Sequence, residues 1–172
     1  MSFLTRLLRR PTGRAGLRPV YDAIVAAARD AEWYRHGGVP DTLEGRFDMV
    51  AALVALVLLR LEKEEDGAKT ESVALTEIFI DDMDGTLRQI GIGDFVVGKH
   101  VGKLVGALGG RLGAFRAAFS GETGLDPAVR RNLFREAPTS EAAVERIAER
   151  IRALHTRLET REITALLAGD LG

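Results

Sequence analysis

Residues 93–100 come close to a phosphate-binding loop. They read GDFVVGKH, against the pattern GxxxxGK[ST] of nucleotide hydrolases. His100 occupies the position where that pattern needs a hydroxyl for magnesium, and the residues before Gly91 are helical in pattern, whereas such a loop follows a buried strand. We therefore predict no nucleotide hydrolysis. We also expect Lys99→Ala to leave folding unchanged.

An acidic cluster, Asp81, Asp82 and Asp84, has Glu77 one helical turn before it. Helical isoprenoid synthases bind magnesium diphosphate through an aspartate-rich DDxxD motif, but the spacing here is DDxD and a second cluster is absent from the sequence. Two interpretations stay open. The cluster is either a solvated acidic face or a docking point for a basic partner, and we predict no metal site.

Other signatures of catalysis are missing from the sequence. His36, His100 and His155 have no partner at i+4 for a metal pair, and the chain contains no GxSxG motif and no cysteine. Aromatic residues make up only 6% of the chain and do not alternate with a basic stripe, which argues against nucleic-acid readout. We predict no catalytic residues, no metal and no cofactor.

The glycines in residues 98–113 are unusual. Four of them recur at every fourth residue: Gly98, Gly102, Gly106 and Gly110. Gly109 and Gly113 lie beside this row, and so do the lysines Lys99 and Lys103. Inside a helix each glycine costs about 1 kcal/mol relative to alanine, so several together need a reason. They either allow close packing of helices within the domain, or form a flat surface that a helix of another protein can approach.

Helical periodicity positions these groups along almost the whole chain. The predicted helices run from Val20 into Trp33–Tyr34, over residues 42–66 with Asp41 as N-cap, from Thr70 or Ser72, over about 94–119, after Asp126–Pro127, and from near Ser140. Met49–Leu59 is apolar on every face and should be the central helix. The sequence predicts an all-α protein, a single compact domain of about six to seven helices.

The N-terminal segment differs from the remainder. Residues 1–16 form a basic amphipathic segment and linker, followed by a helical domain over residues 17–172. The net charge is −1, but residues 1–18 carry five arginines and no acid, so the remaining chain carries −6. The segment could be a frayed terminus, a membrane-surface contact or a targeting peptide. The longest apolar run has eleven residues, too few to span a bilayer. Because the segment also lacks the apolar stretch of a secretory signal, we expect no export and a cytoplasmic protein.

Two stretches resemble the ubiquinol–cytochrome c chaperone family. The first is Trp33–Tyr34 followed by residues 39–48, VPDTLEGRFD. The second comprises Asp82-Met83-Asp84, Leu87-Arg88, residues 91–94 and residues 97–99, with a weaker third match at Arg131-Asn132. The resemblance covers about residues 30–135 and is specific because the VPDT…GRFD stretch is long and unusual.

The resemblance implies an assembly chaperone for the cytochrome bc1 complex that binds newly made cytochrome b. It also implies a position at the inner face of the inner membrane, or on the matrix side in a eukaryote. A second small assembly factor, a ribosome and peripheral membrane contact through the basic segment are further possible partners. The alternative is a helical protein or enzyme with an apolar pocket for quinone or haem.

We predict that the client binds beside two features, the Trp33–Asp48 region and the glycine-rich helix. The predicted contact residues are Trp33, Tyr34, Val39, Pro40, Asp41, Arg46, Asp94, Gly98, Lys99, Gly102, Lys103 and Gly106.

Overall fold

The fold is built from helices. The computed structural model describes residues 13–64, 68–89, 97–135 and 137–172, without the side chains of residues 87 and 97–101. Its helices are α1 (Arg14–Ala28), α2 (Ala31–Arg35), α3 (Leu43–Leu61), α4 (Lys69–Gln89), α5 (Val97–Phe119), α6 (Leu125–Val129), a π-helical turn (Arg130–Phe134), α7 (Glu141–Thr160) and α8 (Ile163–Leu167). These ranges contain no strand. The predicted all-α class is confirmed.

Helix α3 lies at the centre of the domain. Every residue of Met49–Leu59 is buried, as its uniformly apolar sequence predicts. The helix packs against α1, α4, α5, α7 and the π-helical turn. Burying one large aliphatic side chain contributes about 1.5–3 kcal/mol relative to leaving it exposed, so this helix is the main source of hydrophobic stabilisation.

The start of α3 differs from the prediction. The N-cap is Thr42 and not Asp41, because Thr42 has an extended backbone and its hydroxyl accepts a hydrogen bond from the Gly45 N–H at 3.1 Å. The carboxylate of Asp41 instead accepts a hydrogen bond from Arg46 Nε at 2.6 Å. The helix also ends at Leu61, before the predicted residue 66.

The predicted first helix is two helices. The first of the two, α1, begins at Arg14, within the predicted linker, and ends at Ala28. Asp30 then caps α2, because its side chain accepts a hydrogen bond from the Glu32 N–H. The apolar spacing hid this break, since Ala27, Ala28 and Ala31 continue the stripe across it.

The C-terminal third follows the prediction with two additions. Helix α6 contains Pro127 in its first turn, and Ser140 caps α7 through the Ala143 N–H. The apolar stripe of α7 from Val144 to Leu158 is buried. The π-helical turn and α8 were not predicted, since five-residue elements are too short to show a period.

Gly45 allows the chain before α3 to cross close to the helix. A β-carbon built on Gly45 would overlap the carbonyl oxygen of Pro40, which belongs to the backbone and cannot rotate away. We expect Gly45→Ala to lower the free energy of unfolding by about 1–3 kcal/mol through overpacking. Gly85 in α4 is the matched control, because a β-carbon there meets no atom within 4 Å. Urea titration checks this, and equal effects at both positions would contradict it.

His155 connects α7 to the end of α5. Its ring stacks on Phe119 with 3.7 Å between centroids, and its Nε2 lies 3.6 Å from a carboxylate oxygen of Glu159. Burial lowers the pKa of His155 below its ordinary value of 6.5, and this effect outweighs the opposing attraction of Glu159; Lys63 lowers it further. The folded protein therefore favours the neutral imidazole.

This depressed pKa predicts a loss of stability in mild acid. Well above pH 6.5 the ring is neutral in both states and contributes no pH dependence. As the pH falls below that value the unfolded chain takes up the proton first, so stability decreases until the pH passes the folded pKa. Urea midpoints at pH 7.5 and 5.5 should differ more for the wild type than for His155→Gln. Equal differences in the two proteins would contradict the prediction.

Candidate protein-binding site

The glycine face of α5, defined as Gly102, Gly106, Gly109, Gly110 and Gly113, is exposed to solvent. A β-carbon built at any of these five positions meets no atom of the described residues within 4 Å outside its own helix. The opposite side of α5 is buried through Leu104, Leu108 and Phe115. Among the described residues, these five glycines therefore make no close helix–helix contact within the domain, which favours the second of the two interpretations.

Beyond the glycine face, α5 and α6 enclose an open groove of about 410 Å³. Gly109, Gly110 and Gly113 line it from α5, and Pro127 and Ala128 from α6. The remaining lining residues are Ala114, Ala117, Thr123, Gly124 and Arg131. The groove is apolar, and the α5 residues that line it have small side chains or none. A partner could therefore approach the backbone of α5 closely.

Two exposed cations beside this surface have no ion-pair partner among the described residues. The sequence of α5 contains two lysines, two arginines and no acidic residue. Lys103 beside the glycine face and Arg131 at the rim of the groove are both exposed, and neither forms an ion pair with any residue that the structure describes. Val105, which is 45% exposed, adds an apolar contact. The surface is therefore suited to an apolar partner with a negative charge.

A buried ionic network fixes the orientation of α5. Asp48 is 1% exposed and pairs with Arg111, which is 4% exposed. Arg111 also donates to the carbonyl oxygens of Ala107 at 2.9 Å and Asn132 at 3.2 Å. Burial lowers the pKa of Arg111, and the neighbouring Asp48 opposes this shift. The network turns Arg111 inward and leaves the glycines outward.

Arg135 extends the network to the segment after the π-helical turn. It donates from Nε and Nη2 to the two carboxylate oxygens of Asp48, both at 2.6 Å. This hydrogen bonding raises the pKa of Arg135. Its φ of 53° is unusual for a residue with a side chain, so the bidentate pair holds a strained backbone in place. The turn that carries Arg131 is thereby tied to α3.

Trp33, Tyr34 and Val39 are integrated into the domain. The Trp33 indole N–H donates to the Ala27 carbonyl at 2.8 Å, and the guanidinium of Arg150 lies 3.9 Å from the ring centroid. The Tyr34 hydroxyl donates to the Ala28 carbonyl at 2.6 Å, and Val39 is buried. These contacts give the three residues a role in stabilising the fold. Direct contact between these residues and a client stays a prediction.

The other predicted site residues lie in three environments. Asp41 and Arg46 are exposed and pair with each other; the hydrogen bond from Arg46 lowers the pKa of Asp41. Pro40 is half-buried above Gly45. Gly98 and Lys99 belong to the first turn of α5, but their surroundings, like Asp94, lie outside the described residues. The structure thus places Gly102, Lys103 and Gly106 on one surface.

The acidic cluster on α4 is paired within the chain. Asp81 binds Arg14, Asp82 accepts a hydrogen bond from the Tyr21 hydroxyl at 2.8 Å, and Asp84 pairs with Arg88 at 2.8 Å. Burial, with the Asp82 hydrogen bond, raises the pKa of Tyr21. Over the described ranges no group of three or more metal-ligating side chains converges. The cluster ties α4 to α1 and needs no outside ligand.

Sequence reasoning missed Arg131, Val105 and the wall that α6 contributes to the groove. Arg131 appeared only as part of the resemblance, with no role assigned. Val105 follows the apolar spacing of α5, which by itself indicates a core position, but its side chain is 45% exposed. The side chain of Val101, which follows the same spacing, is outside the described residues. Of the helices described, none is long and apolar enough to cross a membrane.

Known proteins are similar to this chain over most of its length. The model of the family described as "Ubiquinol-cytochrome C chaperone" matches residues 35–171. The crystal structure of the Cbp3 homolog from Brucella abortus is similar, with a TM-score of 0.79 and 31% sequence identity over 98% of this chain and 94% of that chain. Curated proteins gave no match. The family match extends through α7 and α8, well past the predicted limit at residue 135, and begins just after Trp33–Tyr34.

Proposed function

Because the chain belongs to the ubiquinol–cytochrome c chaperone family, we propose that it binds unassembled cytochrome b during assembly of ubiquinol–cytochrome c reductase. It acts by binding and not by catalysing a reaction. The family membership, which the resemblance predicted, supports the role in assembly. The client and its contact surface are the parts that we add.

The observation that carries the proposal is the outward position of the glycine face. Five glycines in one helix cost about 1 kcal/mol each relative to alanine, and the part of the domain that the structure describes gains no close contact from them. A surface that lowers the stability of its own helix in this way makes sense if another chain covers it. Membrane-protein helices pack against each other through small residues, so a segment of cytochrome b is a fitting partner.

Two grooves in the described part of the chain are open to solvent. One lies between α5 and α6, and the other lies beside Val73 at the start of α4. An open groove supports binding of a protein segment, whereas quinone or haem is usually enclosed over most of its surface. The Trp33–Asp48 region contributes by holding α3 and α7 in place, and the exposed pair Asp41–Arg46 is its proposed client contact.

Further partners are part of the same proposal. A second small assembly factor or a ribosome would add to the complex, and the arginines of the N-terminal segment would bring the protein to the inner face of an anionic membrane.

The proposal is tested by crosslinking and purification from membranes of the native cell. A tagged chain should recover cytochrome b in excess over the other subunits of the reductase, because only the unassembled form leaves its helices accessible. Deletion of the gene should lower the amount of assembled reductase. Recovery of other membrane proteins without cytochrome b would contradict the choice of client.

A further inference from the structure

We propose that the occupant of the glycine face and the α5–α6 groove is a single apolar helix, of at least three turns, that places a carboxylate beside Arg131. This rests on the proposed function and specifies which kind of client segment the site accepts. Three observations support it: the length of the surface, the hydrogen-bonded backbone of α5, and two cations, Lys103 and Arg131, that have no ion-pair partner among the described residues.

The length and backbone chemistry of the surface favour a helix. From Gly102 to Gly113 the surface runs for about 16 Å, or three helical turns. The backbone N–H and C=O groups of α5 are used within the helix, so they offer no ladder to an extended strand. A helix satisfies its own backbone groups, and the absence of side chains on the glycine face lets it come close.

Charge favours an acidic occupant over a second copy of this chain. The ten residues that line the groove include one cation, Arg131, and no carboxylate. Lys103 adds a second cation beside the glycine face. Two copies meeting through this surface would bring like charges together in a low-dielectric interface, which is unfavourable. A carboxylate on a different helix would instead neutralise Arg131.

The shape of the surface argues against a lipid bilayer as its occupant. Membrane-surface binding needs large apolar side chains that protrude into the headgroup region. On the glycine face Val105 is the exposed large apolar side chain among the described residues, and the groove beside it is concave. A helix fills such a groove, whereas a membrane would leave it empty.

The test uses labelled helical peptides of 20 residues with an apolar face, identical except for one central Glu, Gln or Lys. Fluorescence anisotropy should show that the wild-type chain binds the Glu peptide about tenfold more tightly than the Lys peptide, with the Gln peptide between them. Arg131→Glu should reverse this preference, and Arg131→Gln should abolish it. Arg152→Glu, the same change at an exposed arginine of α7 away from the groove, should leave it unchanged.

Several outcomes would overturn the inference. These are equal binding of the three peptides, no binding of any, concentration-dependent dimers that Arg131→Glu dissociates, or phosphatidylglycerol vesicles bound through Arg131 in place of the peptides. The proposed function has a separate readout in the capture of cytochrome b. If Gly106→Leu abolishes capture and Arg131→Glu does not, the client site stands and the requirement for a carboxylate fails.

Discussion

Asp48→Ala should lower the free energy of unfolding by about 3–5 kcal/mol, because it leaves a buried guanidinium without its counter-charge. Arg111 is 4% exposed, and its Nε already has no hydrogen-bond partner among the described groups. Removal of Asp48 would leave its charge with carbonyl oxygens alone. Arg135 would also lose its anchor and release the strained turn. Urea titration of the purified variant measures the loss.

Two control variants test whether the loss of stability comes from the unpaired buried charge. Asp41→Ala makes the same change at an exposed pair with Arg46 and should cost far less stability, because water screens an exposed ion pair. Replacing both partners, as in Asp48→Leu with Arg111→Met, should recover much of the stability, since apolar side chains remove the buried charge altogether. Equal losses for Asp48→Ala and Asp41→Ala would show that the network does not hold α5 in place.

Gly106→Leu should weaken capture of cytochrome b at least tenfold, or by about 1.4 kcal/mol, while the domain stays folded. The new side chain would stand on the glycine face and hold a partner helix away. Capture from crosslinked membranes and the thermal midpoint are measured on the same preparations. The control is Gly85→Leu on α4, another helical glycine whose β-carbon would meet no neighbour.

Alanine at these positions separates stability from binding. Gly102→Ala and Gly106→Ala should each raise the free energy of unfolding by up to about 1 kcal/mol, because alanine favours the helix and meets no neighbour. Gly85→Ala should do the same, but only the first two should weaken capture. A lower melting temperature for Gly102→Ala or Gly106→Ala would return these glycines to the core of the domain.

The helices could be predicted from the sequence because their apolar stripes are long. Met49–Leu59 indicated a central helix, and Ser140 and the stripe from Val144 located α7. The ends of the helices were predicted less accurately, because capping depends on backbone geometry, which cannot be read from composition. Asp41 and Thr42 are both good caps, and only the extended conformation of Thr42, with Asp41 held by Arg46, distinguishes them.

Only part of the candidate site could be predicted from the sequence, because a local pattern does not show which residues meet in space. The spacing of Gly102 and Gly106 marked one face of a helix, but periodicity cannot tell whether that face meets another helix or solvent. The partner of Arg111 depends on a contact between residues 63 positions apart, which no local pattern reveals. Arg131 became a candidate only when the π-helical turn placed it at the rim of the groove.

The most direct test of the glycine face as the client site is photo-crosslinking from Val105 in the native cell. A photoreactive amino acid at this exposed position reaches only molecules that contact the face. We predict a crosslink to cytochrome b that disappears in the Gly106→Leu background, with none from the same probe at Arg152. A crosslink from position 152 and none from position 105 would contradict the account and place the client on α7.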